Sequence, residues 1–210
     1  MLNNAVRTLP LSFHAVTPPE TRVSEHEWGQ LLLDNGIENL HVRKPNMSAD
    51  ELREYLLPYV DKGYAGRLVL HSHYHLCTEL GLGGIHITEA AKASSETWHQ
   101  YPLTSIAVHN LDELQVPQIA RFRYAVVSPV FPSISKKGYQ PHFTLDQLAQ
   151  AIPTAHVPVV ALGGVTPEHC RTLYSIGCCG ILFLGYLWET TSRRTFQKRL
   201  DTIRDCQYYG

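Results

Sequence analysis

Three histidines stand at every second position in LVLHSHYHLC, residues 68–77: His71, His73 and His75. On an extended strand, side chains two apart share a face, and three imidazoles on one face form a zinc-ligand set. That face exists only if the strand runs through all three. The apolar run ends at Leu70, so the strand is predicted to stop near His71, with a helix opening within SHYHL. His71 then faces the open end of the fold, while His73 and His75 fall in a turn and a first helical turn. A metal-dependent hydrolase would also need ligands after later strands, and the sequence places none well. No metal site is expected.

A second kind of chemistry is written in glycines. VVALGGVTPE ends an apolar run with Gly163 and Gly164 and then opens a helix; GILFLGYLW repeats the arrangement at Leu184 and Gly185. Glycines let backbone N–H groups approach an anion, and a helix N-terminus adds a favourable dipole. Each loop alone reads as a tight turn. Two such loops after consecutive strands favour phosphate binding. The long segment SPVFPSISKKGYQP, residues 128–141, adds Ser133, Ser135 and Lys136, hydroxyls beside an ammonium that suit phosphate oxygens. Lys137 reads as solvated.

The elements that must position these residues alternate along the chain. FHAVT, ENLHVR, RLVLH, GGIHI, LTSIAV, YAVVS, VPVVAL and GILFLG are eight strand candidates, several of them continuously apolar as buried parallel strands are. Between them lie helix signals. Ser24 with Glu27 and Ser48 with Glu51 make capping boxes, Thr166–Pro167 makes a helix start, and Gly36 and Gly177 make stops. Pro58 is expected to close the second helix early. Phe196, Leu200 and Ile203 mark the buried face of a last helix. This pattern predicts a single α/β domain, a (β/α)8 TIM barrel over 1–210, with residues 1–9 an extension and 190–210 carrying the C-terminal helix. A doubly wound sheet is the alternative. The chain has 210 residues, a net charge of −1 and 44% hydrophobic residues, which argues against a bulk attraction to nucleic acid or acidic membranes. No stretch has the length of a membrane span or the pattern of a signal peptide. Five cysteines without a CxxC pair read as reduced thiols of a cytoplasmic protein.

In a barrel, the loops at the C-terminal strand ends carry the active site. Those loops hold LHVRKPN, GGIHITEA, SIAVHNLDEL, YAVVSPVFPSISKKGY, PVVALGGVTPE and GCCGILFLG. Their order and spacing resemble the thiamine phosphate synthases and their relatives, the TenI thiazole tautomerases, over about Phe13 to Trp188. The resemblance implies a barrel acting in thiamine biosynthesis, a homodimer, and a small phosphorylated thiazole or thiamine phosphate as ligand. It places Arg43 on a diphosphate, Ser133, Ser135 and Lys136 in the Thr-x-Thr-Lys segment, and Gly164, Leu184 and Gly185 in the thiazole-phosphate cradle. The synthase Gln-x-Arg-x-Lys becomes His41, Arg43 and Pro45 here, with Lys44 a partial substitute. Its Asn-Asp-Arg becomes His71, Ser72 and His73, and its fourth-strand aspartate becomes Ala91. Both acidic Mg2+ ligands are thus absent, with Glu89 a partial replacement. Mg2+ needs hard oxygen ligands, so it is expected only if the chain is a synthase, and otherwise no cofactor is expected.

The tautomerase branch keeps the cradle and moves a proton to make the thiazole aromatic. Histidine suits that task at neutral pH. His109 resembles the tautomerase acid–base histidine, although synthases also carry a histidine there, and His41 or His71 is a second proton carrier. Three functions follow: a TenI-like tautomerase, a divergent synthase, or a non-catalytic thiazole or thiamine phosphate binder. His86, inside a strand, reads as a core or barrel-lining histidine with a hydrogen-bonded ring. Arg43 has the alternative of pairing with a carboxylate in the barrel mouth.

Overall fold

Alternation along each strand sorts its side chains into two groups. Leu40 and Val42 join the large core that also holds Leu68, Leu70, Ile85 and Ile87, whereas Val16, Tyr124, Val126, Val160 and Leu182 form a second, separate cluster. Two apolar clusters separated by one sheet are what a closed barrel ringed by helices produces. The computed structural model describes residues 10–93, 98–132 and 141–206. Its strands are β1 (Ser12–Val16), β2 (Asn39–Val42), β3 (Leu68–Leu70), β4 (Gly84–Ile87), β5 (Leu103–Val108), β6 (Tyr124–Val127), β7 (Val159–Leu162) and β8 (Gly180–Phe183). They pair in parallel in sequence order, and β8 closes on β1. All eight strand candidates are present, and the barrel rather than the doubly wound sheet is formed.

The helices are α1 (Glu25–Asp34), α2 (Ala49–Val60), α3 (His75–Glu79), α4 (Glu89–Lys92), α5 (Leu145–Ala151), α6 (Cys170–Ser175), α7 (Gly185–Trp188) and α8 (Arg193–Asp205). The Ser48–Glu51 capping box forms at the start of α2. The Ser24 box does not. Ser24 is left-handed (φ 64°) and its side chain makes no cap bond; Glu25 instead accepts the Arg22 N–H at 2.9 Å. Pro58 does not close α2 either. The helix runs two residues further because Tyr55, Leu56 and Tyr59 are buried in the core, and that burial outweighs a proline cost of about 3 kcal/mol. Phe196, Leu200 and Ile203 are buried on α8 as expected. No helix of the described residues is long and apolar enough to cross a membrane. Residues 1–9 lie outside the described residues.

One buried ion pair fixes the β1–α1 loop against the end of β2. Lys44 Nζ lies 2.6 Å from a Glu25 carboxylate oxygen, both side chains fully buried. Lys44 also donates to the Pro18 carbonyl at 2.8 Å and sits over the Tyr55 ring, while the Tyr55 hydroxyl donates to Glu25. Burial pulls the Lys44 pKa below its usual value, and the bond from Glu25 works against that. Removing one member strands a buried charge, at about 3–5 kcal/mol. Urea unfolding of Lys44→Met is therefore expected to show a loss of about this size, and the double variant Glu25→Gln/Lys44→Met should recover much of it.

Candidate active site

The inward-facing residues at the C-terminal strand ends enclose a cavity of about 630 Å³. One side is made by the loops after β7 and β8, where Gly163, Gly164, Leu184 and Gly185 all line the space. Gly163 and Gly164 have φ values of 95° and 64°, a region that disfavours side chains. A Cβ on Gly164 would lie 2.2 Å from the Pro132 carbonyl oxygen, and one on Gly163 would lie 2.8 Å from Pro129 Cα. The Phe131 N–H donates to the Gly163 carbonyl at 2.9 Å. These glycines therefore do two jobs: they seat the β6 loop and leave bare backbone at the rim.

Two exposed guanidinium groups, Arg22 and Arg43, line the same cavity. Arg43 was expected there; its backbone N–H is fixed by the buried Thr17 hydroxyl at 2.9 Å. Arg22 was missed. It lies in the β1–α1 loop, and its guanidinium donates to the Trp188 carbonyl beyond β8, a closure that no local pattern in PPETR announces. Ser133, Ser135 and Lys136 lie outside the described residues. Lys44 is not a substitute for the missing synthase lysine, because its ammonium is consumed by Glu25 and Pro18 below the cavity wall.

His109 follows β5 and lines the cavity. Its Nδ1 is 2.7 Å from the Ser128 carbonyl. A carbonyl only accepts, so Nδ1 carries the proton and Nε2 is left as the basic nitrogen. The other histidines form a wall. His71 and His86 line the cavity and stack at 4.2 Å between ring centroids. His41 does not reach the cavity: it is fully buried, with Nδ1 3.0 Å from His71 Nε2 and Nε2 2.7 Å from the Tyr124 hydroxyl. His86 Nδ1 is 2.8 Å from Ser105 Oγ. One ring nitrogen from each of His41, His71 and His86 lies within 4.8 Å of the other two. Burial holds all three well below the usual imidazole pKa, His86 at about 3, and the neighbouring histidines, with Arg43 beside His71 and Lys92 near His86, add to this. The wall is neutral at physiological pH. His41 as a direct proton carrier to a cavity ligand is thus excluded by position, while His71 keeps access.

The HxHxH run does dissolve. Strand β3 ends at Leu70, His73 adopts a left-handed φ of 50° and bonds the Met47 carbonyl at 2.8 Å, and His75 opens α3. Yet His71 does not stand alone, because two more imidazoles lie beside it. His41 and His86 come from the neighbouring strands, and His86 lines the cavity as well as the barrel interior.

The backbone constraint at the rim gives a direct test. Gly164→Ala combines a positive φ with a backbone clash, so it should cost more than about 1 kcal/mol, or several degrees of melting temperature in a chain of this size. Gly66→Ala, with nothing within 4 Å of its Cβ, should leave the melting temperature nearly unchanged.

Comparison with known proteins places this arrangement. A family model described as thiamine monophosphate synthase, the TMP-TENI family, matches residues 13–185. A thiamine-phosphate synthase of Caldicellulosiruptor saccharolyticus is 23% identical over 180 residues, covering 83% of this chain and 81% of that protein. One from Koribacter versatilis is 26% identical over 142 residues, and there the match spans 66% of this chain and 64% of the relative. Thiamine phosphate pyrophosphorylase from Bacteroides thetaiotaomicron shares the fold, with a TM-score of 0.77 at 23% identity, covering 93% and 97% of the two chains. The family match runs from β1 to the start of α7 and takes in the glycine rim and the histidine wall, so the chain belongs to the thiamine monophosphate synthase (TMP-TENI) family of thiamine biosynthesis.

Proposed function

We propose that the chain is a TenI-like enzyme that binds a thiazole phosphate in the cavity and shifts a proton on its ring. The observation that carries this is the composition of the wall after β3 and β4: His71 and His86 line it, and Ala91 packs into the helix-side core instead. A synthase neutralises a leaving diphosphate with Mg2+, which needs carboxylates close together. The carboxylates lining the described cavity are Glu89, after β4, and Glu189, after α7. Strands β4 and β8 stand opposite each other in an eight-membered ring, and Glu89 is already paired with Lys92 at 2.9 Å. The described residues do not fit a Mg2+ ion, and no step through one is derived.

What remains suits proton transfer. Arg22, Arg43 and the bare backbone at Gly163, Gly164 and Gly185 favour an anion such as a phosphate. His109 offers a basic Nε2 whose tautomer is set by the Ser128 carbonyl, as a general base requires. It takes a proton from one position of the ring and, as the imidazolium so formed, returns it at another, while the neutral His71 faces the same cavity. The synthase reading is favoured by the names of the relatives and by Arg43.

Three measurements separate these readings. With both phosphorylated substrates and Mg2+, no thiamine phosphate above background is expected; its formation would remove the tautomerase as sole activity. His109→Asn should slow solvent proton exchange on thiazole phosphate by about 10²-fold or more while leaving thiazole phosphate binding within a few-fold. If exchange is unchanged, His109 is not the base. If wild type binds without exchange, the chain is a binder.

A further inference from the structure

The histidine wall is more than a polar lining. From the convergence of His41, His71 and His86 we propose that the barrel mouth holds a three-histidine site for a borderline transition-metal ion of the zinc class, with its open coordination position facing the cavity. This goes beyond the proton-transfer reading and does not depend on it.

The donor set is imidazole only, which selects Zn2+, Co2+ or Ni2+ over the hard Mg2+. Three protein nitrogens with one position left over is the arrangement of catalytic rather than structural zinc. Two of the ligands already face each other. His41 Nδ1 and His71 Nε2 are 3.0 Å apart; two nitrogens about 2.0–2.1 Å from one tetrahedral ion stand about 3.3 Å apart. A metal would therefore take the place of the single proton those nitrogens now share, that proton passing to the far nitrogen of its own ring, and the two nitrogens would part by a few tenths of an ångström. His86 Nδ1 is engaged by Ser105 Oγ at 2.8 Å, which leaves Nε2 as its metal-facing nitrogen. One ring nitrogen from each residue lies within 4.8 Å of the other two, and the His71 and His86 rings, stacked with 26° between their planes, would turn apart to bring their in-plane lone pairs onto one ion.

The surroundings match what metal-bound histidines need. A ligating imidazole has its other nitrogen held by a hydrogen-bond partner, which fixes the tautomer. The Tyr124 hydroxyl does this at His41 Nε2, at 2.7 Å, and Ser105 at His86 Nδ1. His71 and His86 line the cavity, so the fourth position opens onto it and would take water or an anionic group of the bound ligand.

The test uses the full chain, stripped with a chelator and titrated with Zn2+ and separately with Co2+. One equivalent of Zn2+ should survive desalting. Co2+ should give the intense visible absorption of a four-coordinate site and be displaced by Zn2+. His71→Asn and His86→Gln should each weaken Zn2+ binding at least 100-fold, and Ser105→Ala and Tyr124→Phe by about 10–100-fold. His75→Ala, exposed on α3, should have no effect. Circular dichroism reports whether each variant is folded. If His71→Asn or His86→Gln fails to fold, the Ser105 and Tyr124 variants and the Co2+ spectrum decide. Sub-stoichiometric Zn2+, an octahedral Co2+ spectrum, or binding that His75→Ala weakens as much as Ser105→Ala would overturn the proposal.

Discussion

Every inward side chain in this protein is set by one constraint: eight tilted parallel strands must close, and each strand can show a given residue to only one side. In β2, Leu40 and Val42 pack outward under the helices, which turns His41 inward. The residue past Val42 on the same side as His41 is Arg43, and it reaches the cavity. The same count puts Tyr124 and Val126 inside the barrel on β6, with Ala125 and Val127 outside. A one-residue slip in any strand would exchange the two sets, burying Arg43 under a helix and emptying the cavity wall.

Closure then imposes lateral order. His41 is in register with Val69, and His71 stands two residues further along from Val69. Tilt brings that next layer beside His41, close enough for a 3.0 Å contact. On the other flank, the irregularity between β4 and β5 pairs His86 with Ser105, and the ring is held by that hydroxyl. Four histidines end up inside the barrel, His14 among them, stacked on Tyr124 and bonded to Ser12. They are tolerated because each is neutral and holds at least one hydrogen bond; burial first, and Arg123 second, pull His14 to about 3.

Much of this was legible in local patterns. The eight apolar runs, the Ser48–Glu51 cap, the face Phe196–Leu200–Ile203 and the stops at Gly36 and Gly177 all depend on residues near one another in the chain. So does the end of β3 before His71. The misreadings share a cause. Ser24 lost its box because Glu25 was drawn to Lys44, nineteen positions away in sequence. Pro58 stayed in a helix because Tyr59 found a core to fill. Lys44 looked available to a ligand because its partner Glu25 lies on the far side of β2 in the chain, and Arg22 looked idle because its contact lies beyond β8.

The sequence by itself determined the barrel and the strand that each candidate residue follows, and its resemblance to the synthases set Ser72 and Ala91 at the positions where acidic residues are expected. Those are properties of period, order and identity, and they need no contact between distant segments. The tertiary structure alone decided which histidines meet. His71, His73 and His75 are adjacent in the chain, but the turn after Leu70 separates them. His41, His71 and His86 are far apart in the chain, but closure and tilt bring their rings together, since the height of one strand against the next is fixed by the whole ring of eight and not by any one of them.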